Sequence, residues 1–271
     1  MNEQVERDVM DYDVLIIGGG PSGLSTAIKV KQLASAEGKD ISVCVLEKGS
    51  EIGAHILSGN VFEPTALNEL IPDWKEKEAP LNSPATKDIV KFMISGNSSI
   101  NIPFPSFLIP TFNNHGNYVM SLANFTRWLA SQAESLGVEI FPGFTAAEVI
   151  FEENIVKGVL TGEMGISKDG EKKPSYQPSM ELRGKYTVFA EGCRGHLGKQ
   201  LIKNYNLDEN RDPQHYGIGF KEIWDIAPED HKEGTVMHTM GWPSNGTISG
   251  SYFYHGENNQ VYLGYVVPLD Y

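Results

Sequence analysis

The chain has 271 residues, 40% of them hydrophobic, and its 22 Lys and Arg against 35 Asp and Glu give a formal net charge of −13. This length suits one large domain or two smaller ones, and the acidity argues against a nucleic-acid binder because phosphates would be repelled. Two cysteines, Cys44 and Cys193, are too few to hold an iron–sulfur cluster or a structural zinc by themselves.

No targeting or membrane-spanning segment is evident from the sequence. Residues 1–11 are acidic and have neither the apolar core of a secretory signal nor the arginine content of a transit peptide. No run is as long and apolar as a transmembrane helix. We expect a bacterial cytosolic location, or a chain whose targeting segment is not included in the sequence.

A glycine-rich turn after the first buried strand is the strongest motif. Residues 14–17 are apolar and branched, and Gly18, Gly20 and Gly23 then fit the pattern G-x-G-x-x-G before a helix that runs to residue 36. A second apolar run, residues 41–46, ends at Glu47, which falls where a carboxylate binds the ribose of a dinucleotide. Strand, helix and strand predict a right-handed βαβ unit with a pyrophosphate at the helix N-terminus.

The polar, glycine-rich segment 53–60 is predicted to be a loop that runs along a cofactor. His55 within it could touch a flavin or a substrate, and a purely structural hydrogen bond is the alternative. A short helix over 64–70 and a charged, proline-containing loop over 72–84 follow.

An apolar, proline-rich stretch follows a predicted hairpin. Residues 88–94 and 99–104 predict two strands, joined by a turn at 95–98. The prolines in 102–110 block regular sheet pairing. This stretch either folds back over the core or exposes an apolar tip to a membrane surface or a partner.

The next elements predict a continuation of the nucleotide-binding domain. A helix over 121–136, with Ser121 as N-cap, precedes strands at 138–141, 145–151 and 155–161. Residues 162–179 are predicted to be a long polar loop with a tight turn at 168–170. A strand over 186–190 then leads through Glu191-Gly192 into a helix that ends at residue 205.

This second acidic glycine turn repeats the design of the first one. It favours FAD over NAD, since a dehydrogenase that uses only NAD has no need of a second turn. Cys193 lies at a helix start but has no C-x-x-C partner, so a redox-active disulfide is not expected, and Cys44 in a strand is expected to be a buried thiol.

The last part of the chain changes character. Residues 215–223, 248–255 and 260–267 predict an antiparallel sheet rich in Tyr, Phe and Val. We therefore predict a nucleotide-binding domain over 1–210, with the apolar hairpin near 90–112, and a β-rich domain that begins over 211–271. Because the chain ends directly after a strand, we expect an N-terminal fragment of a longer protein.

Several strings carry a specific resemblance that extends over almost the whole chain. They are 51–59 (EIGAHILSG), 72–77 (PDWKEK), 113–118 (NNHGNY), 189–192 (FAEG), 195–197 (GHL) and 216–222 (YGIGFKE). With these strings the chain resembles the electron-transfer flavoprotein–ubiquinone oxidoreductase family. The resemblance implies an α/β fold, in which a Rossmann-type FAD-binding domain is interleaved with an antiparallel β-rich, ubiquinone-binding domain that is incomplete at the C-terminus.

The resemblance also implies the activity. In this family FAD takes electrons from reduced electron-transfer flavoprotein, a 4Fe–4S cluster takes part, and ubiquinone is the acceptor at a membrane surface. The enzyme is monotopic, which implies the cytoplasmic face of a bacterial inner membrane, or the mitochondrial inner membrane if a targeting segment is missing.

The family's site residues carry over onto this sequence as three groups. The FAD contacts correspond to Gly18, Gly20, Gly23, Glu47, Lys48, Glu191 and Gly192. The quinone contacts correspond to Ser249 and Gly250, of which Ser249 replaces a glycine of the family. The membrane contacts correspond to the apolar stretch that includes Phe104, Phe107, Leu108 and Ile109.

The departures from the family limit these expectations. The C-terminal cysteines that hold the cluster are absent from this chain, as is the later segment that contacts the reactive end of the flavin. We therefore expect weak FAD binding, no turnover by this chain alone, and no catalytic acid, base or metal ligand within it. The alternatives are a geranylgeranyl-reductase-like enzyme or FAD-dependent hydroxylase, and a non-catalytic module that binds FAD or docks on a membrane.

Overall fold

The structure is a computed structural model that describes residues 7–57, 59–103, 113–244, 246–247 and 249–269. The helices are α1 (Pro21–Ala36), α2 (Thr65–Leu70), α3 (Leu122–Ser135) and α4 (His196–Tyr205). The strands are β1 (Val9–Ile17), β2 (Val43–Glu47), β3 (Asn60–Phe62), β4 (Ser83–Pro84), β5 (Lys87–Ser95), β6 (Ser98–Asn101), β7 (Tyr118–Met120), β8 (Glu139–Pro142), β9 (Ala146–Glu152), β10 (Ile155–Thr161), β11 (Met164–Ile166), β12 (Lys172–Gln177), β13 (Glu181–Phe189), β14 (Gly217–Asp225), β15 (Thr235–Gly241), β16 (Gly250–His255) and β17 (Gln260–Pro268).

The chain divides into two compact units, and each unit is built from two separate segments. The first unit takes the residues up to His55 and then Thr126–Arg211, and the second takes Ile56–Phe125 and the residues from Asp212 onward. The last division lies between Arg211 and Asp212. The prediction of one continuous domain over 1–210 is corrected, because β5 pairs along its length with β15 and thereby joins segment 56–125 to the second unit.

The first unit contains a six-stranded sheet in the order β8-β2-β1-β13-β10-β9. Its first four strands are parallel to one another. Strand β10 is antiparallel to both of its neighbours, β13 and β9. Apolar side chains from both faces of β1 are buried, as the unbroken run predicted, with Leu15 and Ile16 fully covered. The helix α1 buries Leu24, Ala27 and Ile28, which confirms the predicted βαβ unit.

The second unit contains a six-stranded sheet in the order β14-β17-β16-β15-β5-β6 and a three-stranded sheet in the order β3-β7-β4. Val119 of the small sheet packs with Val236, Tyr254 and Tyr262 of the large one, and these four side chains form the core of the unit. The predicted antiparallel pairs β14–β17 and β16–β17 are present. The large sheet is mixed, since β5 and β15 are parallel.

Besides the short strands β3, β4 and β7, which were not expected, two features differ from the elements expected from the sequence. The long polar loop over 162–179 contains the hairpin β11–β12, whose turn lies at the expected place because Gly170 N–H donates to the Ser167 carbonyl over 3.1 Å. Strand β15 was not expected. Both are strands with mixed polar composition, so their pairing partners rather than their own hydrophobic pattern place them in sheets.

The helix boundaries follow their sequence signals closely. The Ser121 Oγ accepts a hydrogen bond from Asn124 N–H over 3.3 Å, which confirms Ser121 as the N-cap of α3. Gly38 has φ +64° just after α1, as a helix-ending glycine does. Among the described residues, no helix is long and apolar enough to cross a membrane.

Candidate functional site

The glycine turn between β1 and α1 combines two tightly packed glycines with one open glycine. Gly18 has φ +112°, and a Cβ there would lie 2.4 Å from the Ala190 carbonyl oxygen. A Cβ on Gly23 would lie 2.0 Å from the Gly18 carbonyl oxygen. Gly20 is extended, with φ −79° and ψ 178°, and a Cβ there would meet nothing within 4 Å. The turn is therefore tightly packed at Gly18 and Gly23, whereas the space beside Gly20 is open.

Glu47 lies at the end of β2 and is held by two backbone groups. Its Oε2 accepts a hydrogen bond from Gly19 N–H over 2.9 Å, and its Oε1 accepts one from Gly49 N–H over 2.7 Å. The carboxylate is therefore fixed beside the glycine turn, and each oxygen retains a second lone pair for a ligand hydroxyl. Lys48, the next residue, is exposed.

These residues fit the ADP end of a dinucleotide. No acidic side chain lies in the first turn of α1, and Gly20 provides no side-chain cap, so the positive end of the helix faces the open side of the turn. A pyrophosphate needs such backbone N–H groups and close approach, and a ribose needs a fixed carboxylate. The turn and Glu47 together provide both.

The second acidic turn lies next to the first because β13 is the neighbour of β1. Ala190 N–H donates to the Ile17 carbonyl over 2.8 Å. The Glu191 carboxylate, whose side chain is only 11% exposed, accepts hydrogen bonds from Leu197 N–H over 3.2 Å and Gly198 N–H over 2.8 Å. The Glu191 carboxylate therefore caps the positive N-terminus of α4. A contact of this second turn with a phosphate would have to come from the backbone of the turn.

The other residues of the first unit that the sequence singled out are His55 and the two cysteines. His55 is exposed, and no side-chain hydrogen bond of it is found within the described residues. Cys44 is buried and Cys193 is exposed. Cys44 is the buried thiol expected from the sequence, and burial, followed by the charge of Glu139, raises its pKa to about 12. Across the described residues, no cluster of three His, Cys, Asp or Glu side chains could hold a metal ion.

In the second unit, Ser249 and Gly250 lie at the start of β16. The Ser249 Oγ is 3.1 Å from the Tyr265 hydroxyl, which also bonds to the Ser244 Oγ. A Cβ on Gly250 would lie 2.4 Å from the Thr239 carbonyl oxygen, so close strand packing by itself requires glycine there. Sequence reasoning did not find Ser244 and Tyr265, since only the strand register brings them to Ser249.

Three buried or half-buried histidines were also not expected from the sequence. The His238 Nε2 is 2.8 Å from the Tyr254 hydroxyl, and the His255 Nδ1 accepts a hydrogen bond from Lys232 N–H over 3.1 Å. The ring centroids of His231 and His255 are 5.2 Å apart. Burial lowers the pKa of His238 and of His255, which keeps both rings neutral near pH 7.

The predicted membrane contacts Phe104, Phe107, Leu108 and Ile109 lie outside the described residues. The hairpin β5–β6 just before them exposes Phe92, Ile94 and Ile100. Phe92 and Ile100 are direct partners across the two strands, and Ile94 lies at a register irregularity of the hairpin. This hairpin therefore presents an apolar face to its surroundings.

Comparisons with known proteins find matches for both ends of the chain. A family model described as a NAD(P)-binding Rossmann-like domain matches residues 16–71, and one described as ETF-QO, ubiquinone-binding, matches residues 216–271. The electron transfer flavoprotein-ubiquinone oxidoreductase of Pseudomonas aeruginosa is 58% identical over 98% of this chain, and the mitochondrial one of Homo sapiens is 49% identical over 98% of it. The resemblance to this family is confirmed.

The chain spans about half the length of these relatives, 49% and 43% respectively. A geranylgeranyl bacteriochlorophyll reductase-like protein from Thermoplasma acidophilum has a TM-score of 0.66 at 17% identity, with coverage of 97% of this chain and 58% of its own. A flavoprotein/dehydrogenase from Cytophaga hutchinsonii has a TM-score of 0.60 at 16% identity, with coverage of 97% and 57%. These two likenesses confirm the α/β fold. Sequence identity favours the electron transfer flavoprotein-ubiquinone oxidoreductases over the reductase and hydroxylase alternative.

Proposed function

We propose that this chain forms the FAD-binding and part of the ubiquinone-binding portion of an oxidoreductase that passes electrons from reduced electron transfer flavoprotein to ubiquinone. The observation that carries the proposal is the open glycine turn with its fixed Glu47, in a chain whose residues 216–271 match a ubiquinone-binding family model. Relatives at 49% to 58% identity bear the corresponding name.

The residues of this chain would bind and orient the cofactor. Gly18, Gly20 and Gly23 with the N-terminus of α1 would hold the pyrophosphate, and Glu47 would accept hydrogen bonds from the adenosine ribose. Lys48 and the backbone of Glu191-Gly192 complete the proposed FAD contacts. Bound FAD would supply the electron transfer itself, which needs no acid–base pair from the protein.

The residues present do not fit a 4Fe–4S cluster. Such a cluster needs four cysteine thiolates, and the chain has only Cys44 and Cys193, one of them buried in a strand. No step is therefore assigned to a cluster held by this chain.

We also propose that the molecule works at a membrane surface, on the cytoplasmic face of a bacterial inner membrane or on the mitochondrial inner membrane. The exposed apolar residues of the hairpin β5–β6 support this proposal. The apolar stretch with Phe104, Phe107, Leu108 and Ile109 follows directly in the sequence. Contiguous exposed apolar surface commonly marks a contact with a membrane or a partner.

Replacing Gly20 tests the cofactor site without disturbing the fold. A Gly20→Val side chain would enter open space, because the backbone is extended and no atom lies within 4 Å of its Cβ. We expect the unfolding temperature to stay near that of the wild type and the Kd for FAD, measured by quenching of flavin fluorescence, to rise at least about tenfold.

Gly162→Val is the matched control. It lies in the same unit, and its nearest neighbouring atom is 3.8 Å from the added Cβ. It should leave the FAD affinity unchanged. The proposal is contradicted if the wild-type chain shows no saturable FAD binding, or if Gly20→Val binds FAD as tightly as the wild type.

A further inference from the structure

The connection between β14 and β15, residues 226–234, is held on the second unit by His255. The His255 Nδ1 accepts a hydrogen bond from Lys232 N–H over 3.1 Å, and the His255 carbonyl accepts one from Gly234 N–H over 3.0 Å. His255 lies on β16 and is only 7% exposed. One buried histidine therefore fixes the end of this connection at two points.

The same end of the connection also holds the segment that leads into β5. The Gly234 carbonyl accepts a hydrogen bond from Thr86 N–H over 2.8 Å, and the Glu233 Oε1 accepts one from the Ser83 Oγ. Ser83 and Gly234 are buried. Release of residues 232–234 would therefore loosen the start of the parallel pair β5–β15 as well.

The His255 ring fits this position only in its neutral form. Because Nδ1 accepts the Lys232 N–H, the single proton of the neutral ring is on Nε2. A proton on Nδ1 would point at that N–H and break the hydrogen bond. The His231 ring lies against the His255 ring, with the centroids 5.2 Å apart, and the His231 Nε2 is buried with no hydrogen-bond partner in the described part of the chain.

The carboxylates around His255 have other partners or are exposed. Glu233 bonds to Ser83, and the Glu257 Oε2 accepts a hydrogen bond from Asn82 Nδ2 over 3.2 Å. The other charged side chains of the connection, of the end of β14 and of the start of β5 are exposed: Lys87, Asp88, Asp225, Glu229 and Asp230. Within the described residues, no carboxylate forms a hydrogen bond with the His255 ring.

The charges that do act on His255 oppose its protonation. Burial, followed by the positive charges of His231 and Lys232, lowers the pKa of His255. His238, the other titratable ring of this sheet, bonds to Tyr254 on the opposite face, because adjacent residues of a strand point to opposite faces. A charged His255 would therefore be stable only after the connection has moved away and admitted water.

We propose that the connection 226–234 is a pH-dependent latch, which is closed on the second unit while His255 is neutral and opens locally when His255 takes up a proton. The open form binds the proton more tightly, so the latch keeps its full stability above the unfolded pKa of about 6.5 and loses it as the pH falls. The latch is independent of the proposed electron transfer, and its test needs neither FAD nor ubiquinone.

The test is hydrogen exchange of the full chain at pH 7.5 and 5.5, measured by mass spectrometry on peptides that cover residues 226–236. Rates are converted to protection factors, which remove the intrinsic pH dependence of exchange. The protection factor of the wild type should fall about tenfold between the two pH values, as proton binding to one open histidine predicts. For His255→Gln, which keeps an acceptor but does not titrate, it should fall less than about twofold.

Two further variants sharpen the result. Lys232→Gln keeps the backbone N–H but removes a charge that opposes protonation of His255, so the fall should be smaller than in the wild type. His115→Gln, at an exposed position, is the matched control and should behave like the wild type. A purely structural role of His255 would lower protection in His255→Gln at both pH values and leave its pH dependence unchanged.

Each remaining outcome also decides the question. The latch is overturned if the wild type shows no fall in protection, or if His255→Gln shows the same fall. Protection factors of residues 226–236 that equal those of β1 at both pH values would show that exchange requires unfolding of the whole molecule, which also overturns a local latch. Failure of the chain to bind FAD would contradict the proposed function and leave the latch standing.

Discussion

Glu47 ends one strand of the first sheet and Glu191 follows another, yet their carboxylates have different partners. Glu47 binds the backbone beside the first glycine turn and leaves the N-terminus of α1 open. Glu191 turns toward α4 and caps it. At the residue scale, this difference supports the proposal that the first turn, rather than the second, binds the anion.

The importance of Glu47 could be predicted from its position after the second strand of a βαβ unit, since that position is fixed by local sequence. The capping role of Glu191 was less accessible, because an acid near a glycine turn is compatible with both a ligand contact and a cap. Ser244 and Tyr265 could not be paired in advance. Their contact depends on how the segment after β15 meets β17, which the separate strand patterns do not specify.

We expect His255 to make the stability of the molecule depend on pH. Burial, with the charges of His231 and Lys232, lowers its pKa, and its Nδ1 accepts the Lys232 N–H, so only the neutral ring fits. A histidine whose folded pKa is lowered contributes stability that is present above the unfolded pKa of about 6.5 and is lost as the pH falls toward the folded value.

We therefore expect the Tm of the wild type to fall on acidification from pH 7.5 to 5.5 by about 3 °C more than that of His255→Gln, which keeps an acceptor but does not titrate. Differential scanning fluorimetry at the two pH values measures this. His115→Gln, at an exposed position, is the control and should behave like the wild type. Equal pH dependence of the wild type and His255→Gln would rule the explanation out.

At the scale of elements, buried strands and amphipathic helices were the predictable part. The strands β1 and β2 have continuous apolar runs, and α3 has a capping serine, so their sequences alone indicate their structure. The strands β11, β12 and β15 were missed, as were the short strands β3, β4 and β7. The first two carry many exposed polar side chains, and β15 is defined by its neighbours β5 and β16 rather than by a clean alternation.

The cap of α4 leads to a prediction for that element. Glu191→Ala would leave the amides of Leu197 and Gly198 without their carboxylate partner. We expect the free energy of unfolding, measured with urea, to fall by about 1–2 kcal/mol.

Glu209→Ala, at an exposed position shortly after the helix, should change the free energy of unfolding by less than about 0.5 kcal/mol. The FAD affinity of Glu191→Ala should change much less than that of Gly20→Val. A loss of FAD binding as large as that of Gly20→Val, without loss of stability, would show that the Glu191 carboxylate serves the cofactor directly.

At the scale of the whole molecule, the sequence indicated two units but misplaced the segment 56–125. Local patterns assign strands, but they do not say which distant strand will be a neighbour. The parallel pairing of β5 with β15 joins segments that are far apart in the chain, and no turn or short loop announces it. Interleaved domains are therefore harder to predict than consecutive ones.

The charge of the whole molecule sharpens the membrane proposal. A chain with a formal net charge of −13 gains nothing from anionic lipids, so its binding to a membrane must come from apolar contact. We expect the full chain to co-sediment with phosphatidylcholine vesicles to an extent that does not fall with added salt. Replacement of Phe104, Phe107 and Leu108 by Ser should lower the bound fraction at least about threefold.

The matched control is a triple Ser variant at exposed apolar positions of the first unit, Val9, Leu33 and Ile155. It should bind vesicles like the wild type. If the Phe104, Phe107 and Leu108 variant binds vesicles normally but loses stability, these side chains belong to the core and the membrane assignment of this stretch is wrong.

The alternation of segments between the two units has a consequence for synthesis on the ribosome. The first unit cannot complete its sheet until β13 has emerged, and the edge of β5 has no partner until β15 follows. At ordinary rates of translation, the apolar hairpin β5–β6 waits on the order of ten seconds for that partner. During this interval we expect the nascent chain to expose both an unpaired strand edge and Phe92, Ile94 and Ile100, which are the features that chaperones bind in incomplete chains.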